Sequence, residues 1–147
     1  MRVRSAIHVL AFFAVSFAPC FAHHMAVIVN KDNVTANLSS PQLSRILREE
    51  TKKWPDGKNV ILILHKDLPG ETGTLRRLNK MTANEWKTFL SAHKDSIMFV
   101  NTDADVRKMV QSKPGAIGMV DVRSVDGSIT VVKVDGKLPM ESGYLPH

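Results

Sequence analysis

The sequence predicts an α/β domain built on an open, mainly parallel sheet with helices on both faces. Two observations carry that expectation. Short continuous apolar runs at Ala26–Asn30, Val60–Leu64 and Ala116–Val120 have the length and density of strands buried on both faces. Between them lie stretches with apolar residues at helical spacing and charged residues on the opposite face, and strands alternating with helices build this architecture.

Ala26–Asn30 is the opening strand, and polar residues follow to Asn37. Ser40-Pro41 predicts a helix start, with serine as cap and proline at the first helical position. Leu43, Ile46 and Leu47 form its apolar stripe, while Arg45, Arg48, Glu49 and Glu50 form its wet face. Trp54-Pro55-Asp56-Gly57 reads as a turn. Val60–Leu64 then runs into a predicted loop from His65 to Thr74, followed by a helix with Leu75, Leu78 and Met81 inward and Arg76, Arg77 and Lys80 outward.

Thr82-Ala83-Asn84-Glu85 is a capping box that opens a helix burying Trp86, Phe89 and Leu90, a core role rather than an aromatic platform. Ile97–Val100 is a third strand, and Thr102–Ser112 a helix capped by Thr102 or Asp103, with Val106, Met109 and Val110 inward. Pro114-Gly115 ends it. Gly118, inside the strand Ala116–Val120, marks a close approach of another backbone or a ligand. Ser128–Val134 is read as a fifth strand and the tail Leu138–His147 as irregular.

Residues 1–22 carry the three parts of a secretory signal. Arg2 and Arg4 precede an apolar run from Ala6 to Phe17, and Cys20 and Ala22 stand at the −3 and −1 positions of a cleavage site. The run is about a dozen residues, whereas a spanning helix needs about 20. Proline before Cys20 argues against a lipoprotein signal. Cleavage leaves one domain, 23–147, in the periplasm. It also removes the only cysteine, so no disulfide forms and burial alone must hold the fold. Two of the 20 basic residues leave and no acid does, which lowers the formal charge from +6 to +4. That excess suits small anions and is too scattered for nucleic acid.

The candidate site is the loop after Val60–Leu64, because ligands of open α/β sheets sit beyond the carboxyl ends of strands. Its unpaired N–H groups and the helix dipole favour an anion. Gly70 and Gly73 let the backbone approach a ligand, the hydroxyls of Thr72 and Thr74 can donate, and His65 and Lys66 add charge. The same residues also suit a plain cap at Thr72 and plain turns at the glycines. The Walker pattern is absent, which argues against nucleotide hydrolysis.

Four segments in order resemble the periplasmic phosphate-binding proteins of ABC transporters, of the PstS kind. They are Ala26–Asn30, Leu43–Glu49 with Lys53-Trp54-Pro55-Asp56-Gly57, Thr72-Gly73-Thr74, and Pro114-Gly115-Ala116-Ile117-Gly118-Met119-Val120. The resemblance covers about Met25 to Asp121 and is to the second lobe. It implies a single lobe of a type 2 periplasmic binding protein, with Thr72, Gly73 and Thr74 donating to a phosphate oxygen. Two departures stand out. No arginine precedes the loop, and Glu71 occupies a place usually held by glycine, where its carboxylate would repel a dianion unless it points away. A single lobe grips its ligand from one side only, so high affinity is not expected of a monomer.

Other chemistry finds less support. After cleavage the chain would begin His23-His24, an arrangement that can chelate copper but has no third ligand placed. His65 and His93 lack metal-ligand spacing, so solvated or capping roles are expected of them. Asp103 and Asp105 read as dipole-favourable residues at a helix start. The mature chain has no cysteine and no nucleophile elbow. The expectation is an exported, non-catalytic phosphate or oxyanion binder without cofactor. Its partners would be an ABC permease or another membrane protein, or a second copy that completes the cleft as a homodimer. The alternative is an interaction module that has kept the lobe and lost the ligand.

Overall fold

A computed structural model describes residues 24–147. The expected signal, 1–22, and His23 of the proposed copper site lie outside the described residues. Seven strands are found among them: β1 Met25–Val29, β2 Asn37–Leu38, β3 Ile61–His65, β4 Met98–Val100, β5 Ala116–Asp121, β6 Thr130–Val131 and β7 Lys133–Val134. The helices are α1 Ser40–Leu47, α2 Pro69–Asn79, α3 Ala83–Ala92 and α4 Asp103–Ser112.

The main sheet has the order β4-β3-β5-β1-β6. β4, β3 and β5 pair in parallel, while β1 is antiparallel to both β5 and β6. The sheet is therefore open and mixed, with β1 alone running against its neighbours. Its parallel half, β4-β3-β5, places the carboxyl ends of β3 and β5 side by side.

Period-two alternation in β1 feeds two cores. Met25, Val27 and Val29 pack with Leu62, Leu64, Ile117 and Met119 against α1, α2 and α3. Ala26 and Ile28 pack with Ile63 and Val120 against Val106 and Val110 of α4. Helices thus cover both faces, which is why these strands read as unbroken apolar runs. Gly118 serves the second core. A Cβ there would come within 2.7 Å of Val106 Cγ1 and 3.2 Å of Ile63 O, so the closest neighbour is a helix side chain, with strand backbone just beyond.

The capping chemistry follows the sequence closely. Thr82 and Glu85 form the expected reciprocal box at α3, and the Thr102 hydroxyl accepts from the Asp105 N–H at α4. At α1 the cap is Ser39 rather than Ser40, with Gln42 completing the box. Trp86 is buried and stacks on Phe89 at 5.3 Å between ring centroids.

Two expectations need correction and a third needs an addition. α2 begins at Pro69, six residues before the predicted start. Proline-glycine reads as a turn, but proline also suits the first position of a helix, and here that preference prevails. The predicted fifth strand is split. Thr130–Val131 pairs with β1, while Lys133–Val134 pairs with β2 in a separate parallel ribbon. Between them Val132 donates its N–H to Val27 O. Finally, the tail is irregular but anchored. Tyr144 is buried, its hydroxyl accepting from Val27 N–H at 3.0 Å and donating to Val132 O at 2.7 Å.

Candidate functional site

A cleft with a volume of about 670 Å³ opens at the carboxyl ends of β3 and β5. One wall is the first turn of α2, Leu68, Pro69 and Gly70, and facing it are Asp103 at the start of α4 and Asp121 at the end of β5. Arg123 and Ser124, in the 3-10 turn Val122–Ser124, and Met25 complete the lining.

The cleft sits on a buried charged stack centred on His65, the last residue of β3. The His65 backbone N–H donates to Glu71 Oε1 at 2.9 Å, and its Nδ1 lies 2.7 Å from Glu71 Oε2. On the other side Nε2 lies 2.9 Å from Asp103 Oδ1. That second contact is an ion pair off the N–H axis, so attraction between charges rather than a directed hydrogen bond carries it. Asp103 Oδ2 accepts in turn from the Asp121 N–H at 3.1 Å. One chain of contacts therefore ties β3, α2, α4 and β5 together beneath the cleft.

Ionised carboxylates only accept hydrogen bonds, so a ring with carboxylates at both nitrogens suits the imidazolium. The hydrogen bond donated to Glu71 holds the His65 pKa above its ordinary value, working against the desolvation that would lower it, and the charges of Glu71 and Asp103 add to the rise. Burial pushes the Glu71 carboxyl up, and His65 opposes that shift. Above the stack, Asp121 binds Arg123 through two oxygens, at 2.9 Å to Nε and 2.8 Å to Nη2. That pairing raises the guanidinium pKa further.

The N-terminus of α2 is uncapped by any side chain, because its cap residue is Leu68. Pro69 has no N–H to satisfy, and the Thr72 N–H already donates to Leu68 O at 2.9 Å. The amides of Gly70 and Glu71 have no acceptor among the described residues. Two orphan donors at the positive end of an 11-residue helix therefore lie beside the cleft.

The residues singled out from the sequence are divided by this geometry. Gly70 lines the cleft, and His65 lies beneath it rather than in solvent. Glu71 is 2% exposed and turned inward, so its carboxylate is spent on His65. Thr72, Gly73 and Thr74 are not in a loop. They fall inside α2, where Thr72 faces a shallow groove with Lys66 and Trp86, Gly73 lies against Arg77, and Thr74 is buried. The reason is the early start of α2, which commits their backbone to the helix. Thr72 does not cap that helix either. His93 does take a capping role, as the C-cap of α3 with Nδ1 at 2.8 Å from Phe89 O.

Asp103, Asp121 and Arg123 as cleft residues were not apparent from the sequence. Asp103 was visible only as a helix-start acid, and no local pattern signals that it meets His65. Among the described residues no group of three or more His, Cys, Asp or Glu side chains is placed to hold a metal ion, and no helix is long and apolar enough to cross a membrane.

A family model described as a PBP superfamily domain matches residues 16–144. The chain belongs to the PBP superfamily. Its fold is shared with an ABC-type phosphate transport receptor from Vibrio cholerae, with a TM-score of 0.67 at 19% identity over 80% of this chain and 48% of that one. A Clostridium perfringens structure with bound phosphate, assigned to the phosphate ABC transporter substrate-binding proteins, gives 0.66 at 22% identity over 79% and 46%. PstS from Borrelia burgdorferi gives 0.65 at 16% identity over 80% and 49%. At such identities the likeness is one of fold. The chain spans about half the length of these structures and matches a single lobe of the PBP-like fold. No curated protein matches it.

Proposed function

We propose that this PBP superfamily chain is a non-catalytic binding lobe for phosphate or a related oxyanion, held in the cleft over the first turn of α2. The uncapped N-terminus of α2, with two orphan amides beside an arginine, is the observation that carries the reading. Gly70 supplies backbone approach, and Arg123, paired with Asp121, supplies positive charge at the mouth. His65 neutralises Glu71 from below and so removes the carboxylate that would repel the ligand. Thr72, Gly73 and Thr74 serve the helix, and Lys66 contributes only to the field.

Asp103 and Asp121 bias the cleft toward an anion that carries a proton, since a carboxylate accepts from hydrogen phosphate and repels sulfate. The reading includes export by residues 1–22 to the periplasm, with an ABC permease as the membrane partner. A second copy or another protein would close the open side.

Calorimetry with phosphate, sulfate and molybdate tests it. The expected result is phosphate binding that weakens at least tenfold in Arg123→Ala, with sulfate weaker than phosphate. The absence of heat at millimolar phosphate overturns the reading. It would favour instead an interaction module, whose supporting observation is the apolar lining from Met25, Leu68 and Pro69 in a cleft gripped from one side. Light scattering after size exclusion distinguishes a homodimer from a monomer.

A further inference from the structure

A second groove lies between α1 and α2, at the far end of α2 from the cleft. Its volume is about 480 Å³, and its lining includes Pro41, Ser44 and Arg45 of α1, Arg48 just after that helix, and Leu78, Asn79 and Lys80 at the end of α2. Three cations converge there. The side chains of Arg45 and Lys80 have no hydrogen bond or ion pair with any described residue, and Arg48 is held by Glu50 at 3.1 Å. The remaining acid at the rim, Asp135, is engaged by the Ser40 backbone N–H and hydroxyl.

The floor is built rather than incidental. The Ser44 hydroxyl donates to Asn79 Oδ1 at 2.6 Å, which fixes the amide. Asn79 is 6% exposed, and its Nδ2 has no acceptor. Buried donors are rarely left unsatisfied, and like charges are rarely gathered without a counter-charge. One ligand class would answer both. A tetrahedral oxyanion offers several acceptor oxygens, to the Arg45 guanidinium, the Lys80 ammonium and the Asn79 amide together, with Arg48 held to one side by Glu50.

We propose that the α1–α2 groove is a second phosphate-group site, independent of the cleft. The phosphate could arrive free or as the headgroup of an anionic phospholipid. Arg76 and Arg77 border a neighbouring groove that shares Lys80, and they extend the positive field along the same flank of α2.

The test uses the whole protein, an Arg45→Ala/Lys80→Ala variant and the cleft variant Arg123→Ala. Inorganic phosphate is titrated with calorimetry and with NMR of the Asn79 side-chain amide. Vesicles of phosphatidylcholine with and without phosphatidylglycerol are tested by cosedimentation. The site predicts that the Asn79 amide shifts with phosphate or with phosphatidylglycerol vesicles. It predicts at least a tenfold loss of that response in the double variant and an unchanged response in Arg123→Ala. A response to phosphate alone identifies free phosphate as the ligand, and a response confined to anionic vesicles identifies the headgroup. A motionless Asn79 amide with both probes overturns the site, as does a response that survives in the double variant. Loss of heat only in Arg123→Ala would leave the cleft standing and remove this groove.

Discussion

Replacing Glu71 by leucine isolates the buried stack under the cleft. The substitution roughly conserves volume and leaves the His65 ring without its nearest counter-ion, with both side chains almost wholly buried. Two hydrogen bonds to a carboxylate disappear, at 2.9 and 2.7 Å. Breaking one side of a buried ion pair typically costs about 3–5 kcal/mol. Asp103, still 2.9 Å from Nε2, retains part of the attraction, so the lower end, about 3 kcal/mol, is expected. In a domain of this size that corresponds to a Tm lower by roughly 10–15 °C.

The pH dependence has a fixed sign. His65 binds its proton more tightly folded than unfolded, so its stabilisation is complete below its ordinary pKa of 6.5 and is lost as pH rises through the higher folded value. Glu71, also raised, acts in the same direction above its ordinary 4.5. Urea unfolding from pH 5 to 9 should therefore show stability falling toward alkaline pH, with a flatter slope in Glu71→Leu. A double variant with His65→Leu should recover a coupling of at least about 1 kcal/mol, because an apolar pair tolerates burial better than one orphaned charge. A loss below about 1 kcal/mol, or strictly additive effects, would refute the reasoning.

Other expectations follow from packing. Gly115 has φ +88 and a Cβ there would lie 2.1 Å from Asn59 O, so Gly115→Ala should cost more than about 4 kcal/mol or prevent folding, as judged by circular dichroism. Gly118→Ala brings its Cβ to 2.7 Å from the buried Val106 Cγ1 and 3.2 Å from Ile63 O, and should cost about 1–3 kcal/mol in chemical denaturation. Tyr144→Phe orphans the buried Val27 N–H and should cost about 1–3 kcal/mol. In the folded protein Tyr144 should ionise well above the usual tyrosine range, near the value of about 12 to which burial pushes it, when followed by ultraviolet absorbance.

What was legible in the sequence is what short-range physics specifies. The continuous apolar runs became β1, β3 and β5, and the Thr82–Glu85 box became a real cap, because burial on two faces and i to i+3 capping are both written locally. The glycine within β5 announced a close approach, and a side chain of α4 is what comes nearest. The errors came where a local signal had two solutions. Pro69-Gly70 could turn the chain or start a helix. The helix took up Thr72-Gly73-Thr74, which the sequence alone places in a loop.

The heart of the site is non-local. His65 meets Asp103, a residue 38 positions further along the sequence, through the parallel pairing that sets α2 and α4 over the same sheet end. A charged residue such as Glu71 in a helix first turn reads as a dipole partner, and only the packed structure turns it into the buried mate of a histidine. Tyr144 was missed because its partners, Val27 and Val132, are strand backbone and leave no side-chain signature.

The central claim, an oxyanion held over the first turn of α2, is tested most directly by backbone amide NMR of the labelled protein during a phosphate titration. The account predicts the largest saturable shifts at the Gly70 and Glu71 amides, weakened in Arg123→Ala. Unmoved Gly70 and Glu71 amides at millimolar phosphate would contradict it, even if Arg45, Asn79 and Lys80 respond at the other end of the helix.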